Sequence, residues 1–119
     1  MVAARRSRTP EEVFADHTQL LSGGNLDAVI ENYAEDAVFV TKDAVRRGRE
    51  GVREGLELLA NDMPGAEWTL SPHFGGDVLL LVWTARGSQT QIGDGVDTFV
   101  FKDGRIIAQT VSYTVEASG

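Results

Sequence analysis

In the first half of the chain apolar residues return every third or fourth place; in the second half they alternate or run together. The first pattern is that of helices with one buried face, the second that of strands. Val13, Phe14, His17, Leu20 and Leu21 form one helical stripe. It starts at Thr9-Pro10-Glu11-Glu12, where an N-cap threonine, a proline at the first helical position and a glutamate three residues after the cap agree. Gly23-Gly24 ends it. His17 is therefore expected on the buried side.

Asn25 to Thr41 organises the rest. Leu26, Val29, Ile30 and Tyr33 stand at i, i+3, i+4 and i+7 behind an N-cap asparagine, which predicts a second helix ending near Tyr33. Glu35-Asp36 breaks that period, and Ala37 to Thr41 carries the β-branched and aromatic residues of a strand. Phe39 and Thr41 share one of its faces, Val38 and Val40 the other. After a polar loop over Lys42 to Gly48, Val52, Leu56 and Leu59 mark a third helix from Arg49 to Asn61. Gly51 and Gly55 each cost it up to ~1 kcal/mol relative to alanine, so it is expected to lean on tertiary packing. Met63-Pro64-Gly65 stops it.

From Ala66 the pattern is of strands. Glu67 to Pro72 is followed by a turn at Phe74-Gly75-Gly76-Asp77, then by Val78 to Arg86, which is apolar on both faces and so expected to be covered on both. Gly87-Ser88 turns the chain into a long strand, Thr90 to Lys102, in which Gly93 and Gly95 predict a bulge or bend. Asp103-Gly104 is a hairpin signal leading into Arg105 to Val115. Helices first and sheet afterwards is the α+β arrangement, with helices over one face of a curved antiparallel sheet.

Composition narrows the function classes. The 119 residues are 42% hydrophobic and 24% charged, the make-up of one globular domain. That domain is expected over residues 9–115, behind a loose basic tail at 1–8. A net charge of −7 repels phosphate backbones, and Arg46, Arg47 and Arg49 are too small a cluster for a nucleic-acid footprint. The absence of cysteine excludes disulfides, thiolate metal sites and cysteine nucleophiles. Neither a signal-peptide h-region nor an apolar run of membrane-spanning length is present, so a cytoplasmic location and no membrane partner are expected. There is no His-Glu-x-x-His pattern and no nucleophile elbow, and Gly93-Asp94-Gly95 lacks the rest of a dinucleotide fingerprint. No metal and no cofactor are expected.

Four stretches, Gly24-Asn25-Leu26-Asp27-Ala28-Val29, Tyr33-Ala34-Glu35-Asp36-Ala37, Gly48-Arg49-Glu50-Gly51-Val52 and Phe99 to Ile106, together resemble the nuclear-transport-factor-2-like superfamily, which includes ketosteroid isomerases and SnoaL-like polyketide cyclases. The resemblance covers about residues 9–115. It implies a cystatin-like roll: a cone of curved antiparallel sheet closed by three helices around an apolar pocket, commonly dimerising through the sheet. Against the isomerase pattern, His17 falls where the family has its oxyanion-hole tyrosine, Asp97 on its oxyanion-hole aspartic acid, and Thr41 where it has its general-base aspartate. A threonine hydroxyl has no useful basicity near neutral pH.

Alternation places Asp97 on one face with Phe99 and Phe101. A carboxyl among aromatics would have a raised pKa and could donate to a developing oxyanion, a use for which ketosteroid isomerase is itself the standard example. The competing reading is a structural carboxylate, as His17 on an apolar stripe can equally be a core histidine. His17 and Asp97 are thus the candidate catalytic pair. Tyr33, Phe39, Thr41, Trp83, Phe99, Gln109 and Tyr113 are the candidate substrate-binding residues, Gln109 and Tyr113 alternating on one face of the last strand. The expected ligand is a small apolar or aromatic ring compound bearing a carbonyl. The expected chemistry is isomerase, cyclase or dehydratase catalysis without a cofactor, the alternative being a non-catalytic binding or dimerisation module. A homodimer through the outer sheet face is expected, since three helices can cover only one face.

Overall fold

The structure, a computed structural model, describes residues 8–118. The tail expected at 1–8 lies outside those residues except for Arg8, whose guanidinium donates to the Gly104 carbonyl at 2.9 Å and faces Asp16 at 3.5 Å.

Helix α1 (Pro10–Ser22) carries the capping box its sequence spells out. Thr9 Oγ1 accepts from the Glu12 N–H at 3.1 Å, and the Glu12 carboxylate accepts from the Thr9 N–H at 2.8 Å. Val13, Phe14 and His17 are its buried residues, whereas Leu21 is exposed. Helix α2 (Leu26–Ile30) starts under the Asn25 side chain, which accepts from the Ala28 N–H at 3.2 Å.

α2 is shorter than its apolar period implies. Tyr33 opens strand β1 (Tyr33–Val40) rather than closing the helix. The sheet explains this: Ile106 N–H donates to the Asn32 carbonyl at 2.8 Å, and Tyr33 pairs with Ile106 in a parallel ladder. Non-local hydrogen bonds override the local period, and the Tyr33 ring is buried in either case.

The expected loop after β1 contains strand β2 (Val45–Arg47), antiparallel to β1 with Val38 opposite Arg47 and Val40 opposite Val45. Three residues, two of them arginine, leave no alternation to read. Helix α3 (Gly48–Asp62) follows at once, Gly48 making the corner at φ +74°. Its glycines are contact points: a Cβ on Gly55 would stand 2.6 Å from Cδ1 of Phe39 and closer still to Cε1. The helix thereby lies directly on the β1 ring.

Strands β3 (Glu67–Gly75) and β4 (Val78–Arg86) form a hairpin about Gly76-Asp77, so Phe74 belongs to the strand and not to the turn. β5 (Thr90–Lys102) and β6 (Arg105–Ser112) are joined at Asp103-Gly104, both at positive φ (52° and 78°), as a type I′ turn requires. β6 ends at Ser112, short of the expected Val115, and a two-residue β7 (Glu116–Ala117) returns to pair with the start of β5.

The sheet order is β2-β1-β6-β5-β4-β3, with β7 beside β5. Every pairing is antiparallel except β1 with β6. Between Trp83↔Gly95 and Ala85↔Ile92 the register slips, so Thr84 faces Gly93 and Asp94: the bulge that the glycines announce. The helices cover the inner, concave face. On the other face Val78, Leu80 and Val82 of β4 are 41–45% exposed and Val96 of β5 is 37% exposed. The expectation that both faces of β4 are covered is therefore not met among the described residues, because none of their helices reaches the outer side.

Candidate functional site

Four strands bring the buried polar groups together. On β5, alternation inside the cone turns Asp97 inward beside Phe99 and Phe101. On β4, Trp83 lies across Gly95 of β5, and its indole N–H donates to Asp97 Oδ1 at 2.8 Å. On β6, the Gln109 amide donates to Asp97 Oδ2 at 2.9 Å. The orientation of that amide is set from the far side, where the Tyr33 hydroxyl donates to Gln109 Oε1. The result is a directional chain, Tyr33 to Gln109 to Asp97, closed by Trp83.

Both groups facing Asp97 are donors, so both carboxyl oxygens act as acceptors, the geometry that favours the ionised form. Burial opposes it. Asp97 is 4% exposed, and the loss of water pushes its pKa from 3.8 up to about 6 against the pull of the Trp83 and Gln109 hydrogen bonds. Tyr33 is pushed well above the ordinary tyrosine value by burial and by the negative charge of Asp97. Its proton therefore stays on and fixes the direction of the chain.

His17 stands apart from this carboxylate. Its ring packs edge-on against Tyr33 (5.8 Å between centroids) and Phe99 (5.6 Å), and is stacked with Phe14 at 6.5 Å. It makes no hydrogen bond to Asp97; Tyr33 and Gln109 carry the link instead. Burial lowers its pKa from 6.5 to about 4, the charge of Asp16 pulling the other way. The imidazole is thus neutral at pH 7, and its buried Nδ1 has no hydrogen-bond partner.

A cavity of about 260 Å³ opens between α3, β1 and the end of β6, lined by Phe39, Thr41, Leu58, Asp62, Val111 and Tyr113 among others. Three of the candidate binding residues, Phe39, Thr41 and Tyr113, are therefore in it. Neither His17 nor Asp97 lines it. Asp97 lies one strand behind its wall, since Val111 is its cross-strand neighbour and the Trp83 ring that bonds it packs 5.7 Å from Tyr113. Phe99 belongs to the aromatic cluster around Phe14 and His17 rather than to the cleft.

Asp62 is a cleft residue that the sequence pattern does not single out. Asp62 accepts from the Tyr113 hydroxyl at 2.6 Å. A signal existed, because a carboxylate on the last residue of a helix opposes the helix dipole and calls for another reason to be there. Among the described residues no cluster of three histidines or carboxylates could hold a metal ion, and no helix is long and apolar enough to cross a membrane.

A cone of curved sheet with three helices over its concave face and a polar group at its heart is the nuclear-transport-factor-2-like fold. The SnoaL-like domain family matches residues 14–109, and the chain belongs to that family. An NTF2-like protein of unknown function from Mesorhizobium loti superposes with a TM-score of 0.75 at 20% identity, over 95% of this chain and 97% of that one. A candidate SnoaL-like polyketide cyclase from the same organism gives 0.67 at 23% identity, over 87% and 98% of the two chains. A candidate isomerase of the SnoaL-like family from Agrobacterium tumefaciens gives 0.64 at 17%, over 84% and 93%. Likenesses at these identities establish the fold alone. No protein with a curated description matches this chain.

Proposed function

We propose that this protein binds a small, ring-shaped, largely apolar carbonyl compound and moves a proton on it without a cofactor, in isomerase, cyclase or dehydratase chemistry. The observation that carries the reading is the Asp97 carboxylate, buried, held by two donors and poised near pH 6. A carboxylate with a pKa close to the working pH is an effective general base. This assigns Asp97 the role that Thr41 cannot fill, in place of the neutral acid that its family position implies. His17, neutral and with one nitrogen unpartnered, is the group to polarise the carbonyl. The relatives described as candidate cyclase and isomerase are consistent with this class of chemistry.

A second reading is favoured by a specific observation: the inner cone is filled by Trp83, Phe99 and Phe101, and the open cleft stops short of Asp97. On this reading the protein binds its ligand without changing it. Deuterium exchange α to the carbonyl of a cyclic ketone such as 2-tetralone, followed by NMR, separates the two. Under the catalytic reading the protein accelerates exchange, the rate rises with pH through about 6 and levels off above it, and Asp97→Asn abolishes the acceleration while binding persists. Binding without exchange in the parent protein selects the second reading.

We further propose a homodimer through the outer sheet face. Val78, Leu80, Val82 and Val96 form an exposed apolar stripe, flanked by Thr110 and Ser112, with no charged residue within it. In a chain of net charge −7 an uncharged face is where a second copy meets least repulsion.

A further inference from the structure

The cleft already holds a phenol, and it is the protein's own. Tyr113, just past the end of β6, packs its ring 5.7 Å from Trp83 at a tilt of 50°, and its hydroxyl donates to Asp62 Oδ2 at 2.6 Å at the edge of the cavity. The adjoining backbone is pinned as well, the Thr114 N–H donating to Asp94 at 2.8 Å. Behind Tyr113 lies the indole that bonds Asp97. The ring of Tyr113 thus covers the approach from the cleft to the buried carboxylate, and the bond to Asp62 holds it there. Burial and the bond to Asp62 both push the Tyr113 phenol above the ordinary tyrosine value, so it stays a donor.

The geometry points to Tyr113 occupying the seat of a hydroxyaromatic ligand ring, with Asp62 as the acceptor for the ligand hydroxyl and Trp83 as the aromatic face. A ligand that reaches Asp97 must displace Tyr113, and in doing so strips Asp62 of its donor. A ring bearing a hydroxyl at the mouth end restores that bond; a ring without one leaves it broken. Asp62 is thereby a specificity-determining residue, and it narrows the ring compound of the proposed function to a hydroxylated one. The inference rests on that reading for the path to Asp97, but the seat itself is defined by Tyr113, Asp62 and Trp83.

The test compares 2-naphthol with 2-methoxynaphthalene, which keeps the ring and the oxygen but donates no hydrogen bond. Binding is followed by quenching of Trp83 fluorescence in a Trp68→Phe background, Trp68 being the other indole, 5.1 Å from Trp83. The parent protein is expected to prefer the naphthol. Tyr113→Phe, which keeps the ring but frees Asp62, is expected to bind the naphthol about three- to tenfold more tightly, the fold-change of one ordinary hydrogen bond, and the methoxy compound unchanged. Asp62→Leu is expected to erase the preference. Equal binding of the two compounds by the parent protein, an unchanged preference in Asp62→Leu, or no quenching by either compound would each overturn the inference. None of these outcomes depends on Asp97, whereas the result that would sink the catalytic reading, no ketone exchange in the parent protein, leaves the seat untouched, so the two readings fail separately.

Discussion

Trp83 and Gly95 face one another across the β4–β5 ladder, and the indole occupies the space that any side chain at 95 would need. A Cβ there would stand 2.6 Å from Cε3 of Trp83 and closer still to the carbons of the ring fusion. The Trp83 N–H reaches Asp97, two residues along, only because position 95 is bare. Gly95→Ala is therefore expected to cost about 1–3 kcal/mol, the range for overpacking a core, and to break the indole bond to Asp97. Urea denaturation reads the first effect and the near-ultraviolet dichroism of the tryptophans the second. An alanine variant with parental stability and spectrum would show that the ring has room to move.

Gly55 poses the same question with helix propensity pulling the other way. Helix propensity alone says that alanine in the middle of α3 gains about 1 kcal/mol over glycine. The Phe39 ring lies against that backbone, and a methyl at Gly55 would overlap it. Phe39 is 1% exposed, and it can yield only into the cleft that it lines with Gly55, at the cost of its packing against α3. Gly55→Ala is thus expected to destabilise by about 1–2 kcal/mol net, overpacking outweighing propensity, with the midpoint of urea unfolding as the measurement. A stabilised variant would mean that α3 lifts off β1 at little cost.

These two glycines show where the sequence is legible and where it is not. Capping at Thr9, the Asp103-Gly104 turn and the bulge at Gly93 are local, and each is written in residues next to the structure it makes. Gly55 reads as a weak point of a helix because the ring that demands it sits sixteen residues earlier on another element. The apolar period carries Tyr33 onto the helix for the same reason: the parallel ladder with Ile106 has no signature near Tyr33. In the site, alternation brings Asp97 inward, yet its partners Trp83 and Gln109 come from flanking strands, and only the register aligns them. Asp62 is more remote still, its role created by the end of α3 meeting the end of β6.

The outer face supplies a test of assembly. Leu80 is at the centre of the exposed stripe, opposite Thr98 on β5 and His73 on β3. Sedimentation of the parent protein at micromolar concentration is expected to give a dimer. Leu80→Arg places a charge in the middle of that face and is expected to give a folded monomer, because burying an unpaired guanidinium costs several kcal/mol. A parent protein that sediments as a monomer would remove the proposed interface.

Asp97 and His17 make opposite contributions to stability against pH, and the parent protein conceals both. Asp97 has a folded pKa of about 6, above its ordinary 3.8, so the stability it lends is fully present below pH 3.8 and is lost as the pH climbs through about 6. His17 has a folded pKa of about 4, below its ordinary 6.5, so its contribution is fully present above pH 6.5 and is lost as the pH falls through about 4. Each shift corresponds to about 3 kcal/mol, so the two slopes largely cancel between pH 4 and 6. Removing one exposes the other. His17→Gln leaves Asp97 alone and is expected to become more stable relative to the parent as the solution is acidified from pH 6.5 to 4. Asp97→Asn leaves His17 alone and is expected to become less stable relative to the parent over the same interval. The carboxylates elsewhere in the chain titrate alike in all three proteins and drop out of the comparison. Urea unfolding at half-unit intervals from pH 4 to 7 measures the differences, and variants whose stabilities track the parent at every pH would show that neither group titrates differently in the folded chain.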